Sequence, residues 1–146
     1  MKNLNSSVKP THREFPLIHK GFEIQYAIHQ EEHISMESHF MEECGYTQKQ
    51  FDKIRNYDWF RIELKASIPG DSEVLGRANL GLCCAKDAHA YVTKQDAGGY
   101  LQQMLDEVTQ EAQKYAPQRV ELLKGVIKNA ESTSVQVKKP PKAPSP

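Results

Sequence analysis

Apolar and polar residues alternate most strictly in the run DWFRIELKASIPGDSEVLGRANLGLCCA, from Asp58 to Ala85. Phe60, Ile62, Leu64, Ala66 and Ile68 take every second place, with Arg61, Glu63, Lys65 and Ser67 between them. A period of two turns one set toward a core and the other toward water, which predicts a strand. A second strand follows, with Val74, Ala78, Leu80, Leu82 and Cys84 expected inward and Arg77 and Asn79 outward. Pro69-Gly70-Asp71-Ser72 joins them: proline presets φ, glycine tolerates positive φ, and Asp or Ser can bond backbone locally. The stretch 21–30 repeats the pattern, with Phe22, Ile24, Tyr26 and Ile28 set against Glu23, Gln25, Ala27 and His29. A short extended piece around Phe15 and Leu17, before a turn at Lys20-Gly21, offers a fourth strand. One apolar and one polar face per strand is the mark of an antiparallel sheet covered on one side.

Elsewhere the period lengthens. Met36, Phe40 and Cys44 share a stripe, Ser35 can cap it and Gly45 can end it, so a short helix is expected over 35–44. Thr47 with Gln50 has the spacing of a capping box, flanked by Tyr46 and Phe51 as a hydrophobic staple, and opens a helix expected to end near Asn56. Asp87 can cap one or two helical turns between 86 and 95. Leu101, Met104, Leu105, Val108, Ala112 and Tyr115 form the clearest amphipathic helix, expected over 96–115. Pro117 is expected to interrupt it and open a further helix carrying Val120, Leu123 and Ile127. The predicted fold is therefore α+β. An antiparallel sheet of three or four strands is packed on one face by the long helix, with two short helices inserted before the central hairpin.

Composition bounds the rest. A chain of 146 residues predicts one domain, expected over 14–130, after a loose segment at 1–13 and before a Lys/Pro-rich tail at 131–146. Nineteen basic and nineteen acidic residues cancel, which removes the surplus of cations that non-specific nucleic-acid binding needs. No apolar run approaches the roughly 20 residues of a membrane span, and the N-terminus lacks the apolar centre of a secretory signal. A cytoplasmic location is expected, with the three cysteines reduced.

Several groupings invite chemistry. Asp58, Glu63 and Lys65 have the residue types of a metal-dependent nuclease, yet charged residues are expected on any wet strand face. His29, His33, His39 and Cys44 are zinc-ligand types without a zinc-motif spacing. Cys83 or Cys84 with His89 would make a thiolate pair, but a small cysteine in an alternating strand usually fills a core. Gly98-Gly99 could offer amides to an anion, and more simply forms a turn that lets Tyr100 pack. Pro141 and Pro144, among lysines, have the spacing of a groove-docking peptide or of a solubilising end. Neither a catalytic residue, a metal nor a cofactor is assigned. The remaining candidate is the open sheet face, where Trp59, Arg61, Lys65 and Arg77 combine an aromatic with cations. That mixture suits a protein partner, since Trp and Arg are common anchors, and suits single-stranded nucleic acid less, because Glu23 and Glu63 share the face.

The run from Gly76 through Leu80-Gly81-Leu82-Cys83-Cys84 to Gly99-Tyr100-Leu101-x-x-Met104 resembles that of small bacterial and phage- or plasmid-borne α+β proteins. The resemblance implies an accessory role, often the binding or inhibition of a host macromolecule, and carries over no site residue. The expected function is a non-enzymatic protein-binding protein. A nucleic-acid-binding module using the same face is the alternative, and a small metal-dependent nuclease the third reading.

Overall fold

The computed structural model describes residues 12–137, with side chains through Glu131. Four antiparallel strands, β1 (Leu17–His19), β2 (Phe22–Gln30), β3 (Asp58–Ser67) and β4 (Gly76–Ala85), pair in sequence order. Lys20 and Gly21 link β1 to β2 with φ of 53° and 87°, the left-handed pair that matches the twist of a tight hairpin. Between β3 and β4, the Asp71 N–H donates to the Ile68 carbonyl at 2.9 Å, with Pro69 and Gly70 (φ 85°) at the centre of the turn.

The inward set of β3 is as the alternation predicts: Phe60, Ile62, Leu64 and Ala66 are all buried. Against it lies α4 (Leu101–Val137), which presents Leu101, Leu105, Val108 and Ala112, each fully buried. Gly76 permits the close approach. A Cβ there would stand 2.3 Å from the Val108 carbonyl oxygen and 2.8 Å from the Ala112 nitrogen. Thr109, buried in the same face, donates its hydroxyl to the Leu105 carbonyl at 2.9 Å, so that hydroxyl is not left bare.

Three short helices complete the fold. α1 (Ser38–Glu43) is a wide π-type turn, preceded by Ser35, whose hydroxyl accepts the Ser38 N–H at 3.0 Å. α2 (Gln48–Asp52) begins on the reciprocal Thr47–Gln50 capping box expected of it. α3 (Ala88–Thr93) starts where the Asp87 carboxylate accepts the Ala90 N–H at 3.1 Å.

The structure corrects several expectations. Leu82 and Cys84 do not join the inward set. Phe60 pairs with Cys83 while Ile62 pairs with Leu80, so Gly81 and Leu82 together oppose Arg61 in a β-bulge. Leu82 adopts φ 56° and is 40% exposed, and Cys83 and Ala85 fill the core instead. Pro117 does not end the long helix, which is continuous over 37 residues. The carbonyl deprived of its donor belongs to Gln113, and both residues are exposed, so water can replace the missing bond. The helix begins at Leu101 rather than 96, after a 3₁₀ turn (Asp96–Gly99) with positive φ at all four residues. A Cβ on Gly98, at φ 68°, would press on the Tyr91 hydroxyl, which would have to shift, and Tyr100 is exposed rather than packed. Tyr115 is exposed as well. Residues 131–137, expected in the tail, continue α4. The expectations for 1–11 and 138–146, the prolines at 141 and 144 included, lie outside the described residues.

Candidate functional site

The face of the sheet opposite α4 carries the outward members of three strands. Backbone register sets Gln25 beside Lys65 and Lys65 beside Arg77, and Ala27 beside Glu63 and Glu63 beside Asn79. Glu63 is the centre of this face and is buried, contrary to the wet position that alternation alone gives it. Alanine at position 27 leaves room above its strand neighbour, and two side chains close over the carboxylate. His29 Nε2 donates to Oε1 at 2.9 Å and Arg77 donates to Oε2 at 2.7 Å. Burial pushes the Glu63 carboxyl up, and the bonds from His29 and Arg77 more than offset that, holding it below the usual glutamate range. Beside it Arg61 donates to the Asn79 side-chain oxygen at 2.6 Å. Lys65 lines a shallow hollow of about 280 Å³ with Gln25, Ser67 and Asp71.

Of the four residues singled out from the sequence, Arg61, Lys65 and Arg77 share this face as expected. Trp59 stands at its end, but its surface is not left open. The indole N–H donates to the Ile34 carbonyl at 2.8 Å, and the ring packs at centroid distances of 5.3 Å from His39 and 5.7 Å from Phe40. The segment through α1 therefore lies over Trp59 and closes that end of the face. It is this segment, and not the α2 helix, that holds the indole.

Glu31, which the pattern of apolar and polar positions does not single out, builds the bulge. Its carboxylate accepts the Leu82 N–H at 3.0 Å, and that bond holds its pKa below the usual range. A side chain on Gly81 would press on the same carboxylate at 3.2 Å. A glycine inside the strand, Gly81, is the local signal that could have marked the bulge.

The other groupings do not converge. Asp58 accepts the Ala88 N–H at 2.8 Å, at the start of α3, whereas Glu63 belongs to the opposite face of the sheet. The nuclease arrangement is thereby taken apart. His29 is held by Glu63, while His39 belongs to α1 and has its Nε2 3.6 Å from Cys44 Sγ. Among the described residues no three His, Cys, Asp or Glu side chains come together as a metal site. His89 is engaged by the Tyr26 hydroxyl at 2.8 Å, not by a cysteine. Burial pushes the Cys83 thiol up to about 11, against a role as nucleophile. No helix among the described residues is long and apolar enough to cross a membrane. Compared with family models, curated proteins and solved structures, the chain matches none of them.

Proposed function

We propose that this chain is a non-enzymatic binding protein that recognises another protein through the open face of its sheet, in an accessory or inhibitory role. One observation carries the reading. The face is a preorganised lattice of both signs, in which the Glu63 carboxylate is fixed beneath His29 and Arg77 while Arg61 is braced by Asn79. Side chains already held in place lose little freedom on binding. Mixed charges set orientation and exclude wrong partners more than they add affinity. A nucleic-acid surface would instead present cations without a carboxylate at their centre. Lys65, beside the hollow, and Arg77, which is exposed beyond its bond to Glu63, are the groups offered to the partner. Trp59 supports the face from its end by anchoring the segment above it.

The test is affinity capture from extract of the source cells, with proteins and nucleic acids detected in the same eluate. The wild-type chain is expected to retain a protein species, with a shallow dependence on salt, and Lys65→Glu to lose it. Retention of nucleic acid with a steep log–log salt slope, or capture unchanged by Lys65→Glu, would overturn the reading.

A further inference from the structure

The last side chain of α4 that is buried in the core is Ala112, and Arg119 is its last firm tie to the domain, donating twice to Asp71 at 2.7 Å. Beyond it the helix runs on to Val137, a further 18 residues or roughly 27 Å at 1.5 Å per residue. That overhang is not a polar rod. Leu122, Val126 and Ile127 are 53–57% exposed. Ala116, Val120, Leu123, Ile127 and Ala130 follow one another at intervals of four, three, four and three residues. This is the spacing by which one helix packs along another, with Val120 and Ile127 at a positions and Leu123 and Ala130 at d positions. Closer to the domain, Leu105, Val108 and Ala112 meet the sheet on an adjoining face, turned by roughly 50° about the helix axis. The overhang carries an apolar stripe past the end of the core.

We infer that the stripe is covered by the overhang of a second copy of this chain, the two helices running antiparallel. The charges beside the stripe choose both partner and direction. Lys124 and Glu131 occupy successive e positions, which flank the seam. In an antiparallel pair the e positions of the two helices face each other. A two-fold axis near residues 127 and 128 sets Lys124 opposite Glu131 of the second copy, and Glu131 opposite its Lys124. The same axis layers Ile127 against Ala130 twice. A parallel pair would instead bring Lys124 beside Arg119 of the other chain, like against like. Lys124 also lies 3.7 Å from Glu121 on its own helix, but both are exposed and such a pair holds weakly. The contact is isologous, so it closes at two copies and does not propagate. It stands on α4 alone and is independent of the sheet face.

Sedimentation equilibrium of the full chain over a range of concentrations tests it, with circular dichroism confirming that each variant stays helical. The wild-type chain is expected to be a reversible dimer. Ile127→Asp, at a site outside the domain core, should raise the dissociation constant at least about tenfold and leave the melting temperature unchanged at concentrations where both chains are monomers. Lys124→Glu and Glu131→Lys should each weaken the dimer, because each sets two like pairs across the seam. An equimolar mixture of the two should recover wild-type association as a heterodimer, and so should the double variant Lys124→Glu/Glu131→Lys. A monomer at every concentration, or strengthening by Lys124→Glu alone, would overturn the proposal. So would a mixture no tighter than its components. A chain that remains monomeric but still captures a protein through Lys65 would leave the sheet-face reading standing.

Discussion

Replacing Glu63 by alanine separates a built polar face from a merely solvated one. On a wet strand face the change would be nearly free. Here the carboxylate is 12% exposed and receives two charge-assisted bonds, from His29 at 2.9 Å and Arg77 at 2.7 Å. Such bonds contribute about 1.5–3 kcal/mol each when fully sheltered. Both donors are substantially exposed and can return to water, which brings each contribution toward the exposed-pair range of about 1 kcal/mol or less. Removing the carboxylate also leaves Arg61, Lys65 and Arg77 as uncompensated neighbours, a cost of a few tenths of a kcal/mol per close pair. The expected loss is about 1–3 kcal/mol, read as a shift in urea midpoint at neutral pH with unchanged slope. The pH dependence has a definite sign. Glu63 has a depressed pKa in the folded state, so its contribution is present above the ordinary glutamate value of about 4.3 and is lost as pH falls through the folded value. The gap between wild type and Glu63→Ala should therefore narrow in acid. A loss under about 0.5 kcal/mol at neutral pH, or a gap that persists at pH of about 3, would refute the reasoning.

Leu64→Ala should cost about 2–5 kcal/mol in the same denaturation assay, because a fully buried side chain leaves a cavity under α4. Gly76→Ala should destabilise by about 1–3 kcal/mol or more and should speed amide exchange in the first turns of α4, since the new Cβ meets helix backbone rather than a movable side chain. Trp59→Ala should cost about 2–3 kcal/mol, less than a fully buried tryptophan, and should loosen residues 34–46 to limited proteolysis before the rest of the domain. Wild-type melting with unchanged proteolysis would return Trp59 to a free surface position.

The strands of this sheet announce themselves because each is half buried, so that Ile62 and Leu64 alternate with Arg61 and Lys65 without interruption. The Thr47–Gln50 box and the Asp87 cap are equally local, and both form. What local pattern misses depends on partners distant in sequence. The extra residue in β4 shifts Leu82 out and Cys83 in, and its cause is Glu31, 51 residues earlier. Glu63 reads as wet until Ala27 and Arg77 are brought beside it by strand pairing. Trp59 reads as open until the carbonyl of Ile34 reaches its indole. Pro117 reads as a boundary because the penalty for an interior proline is local. Its relief depends on Gln113 facing water, which only the docked orientation of α4 decides.

The claim that the open sheet face receives a protein is tested most directly by photo-crosslinking in the source cells. A photoreactive amino acid would replace Gln25, beside Lys65 on that face, in one chain and Gln113, on the outer side of α4, in another. Both positions are exposed, so neither replacement disturbs the fold. The account predicts a discrete protein adduct from position 25, absent from position 113 and lost when Arg77→Glu is introduced. Adducts to nucleic acid from position 25, or the same protein adduct from both positions, would contradict it.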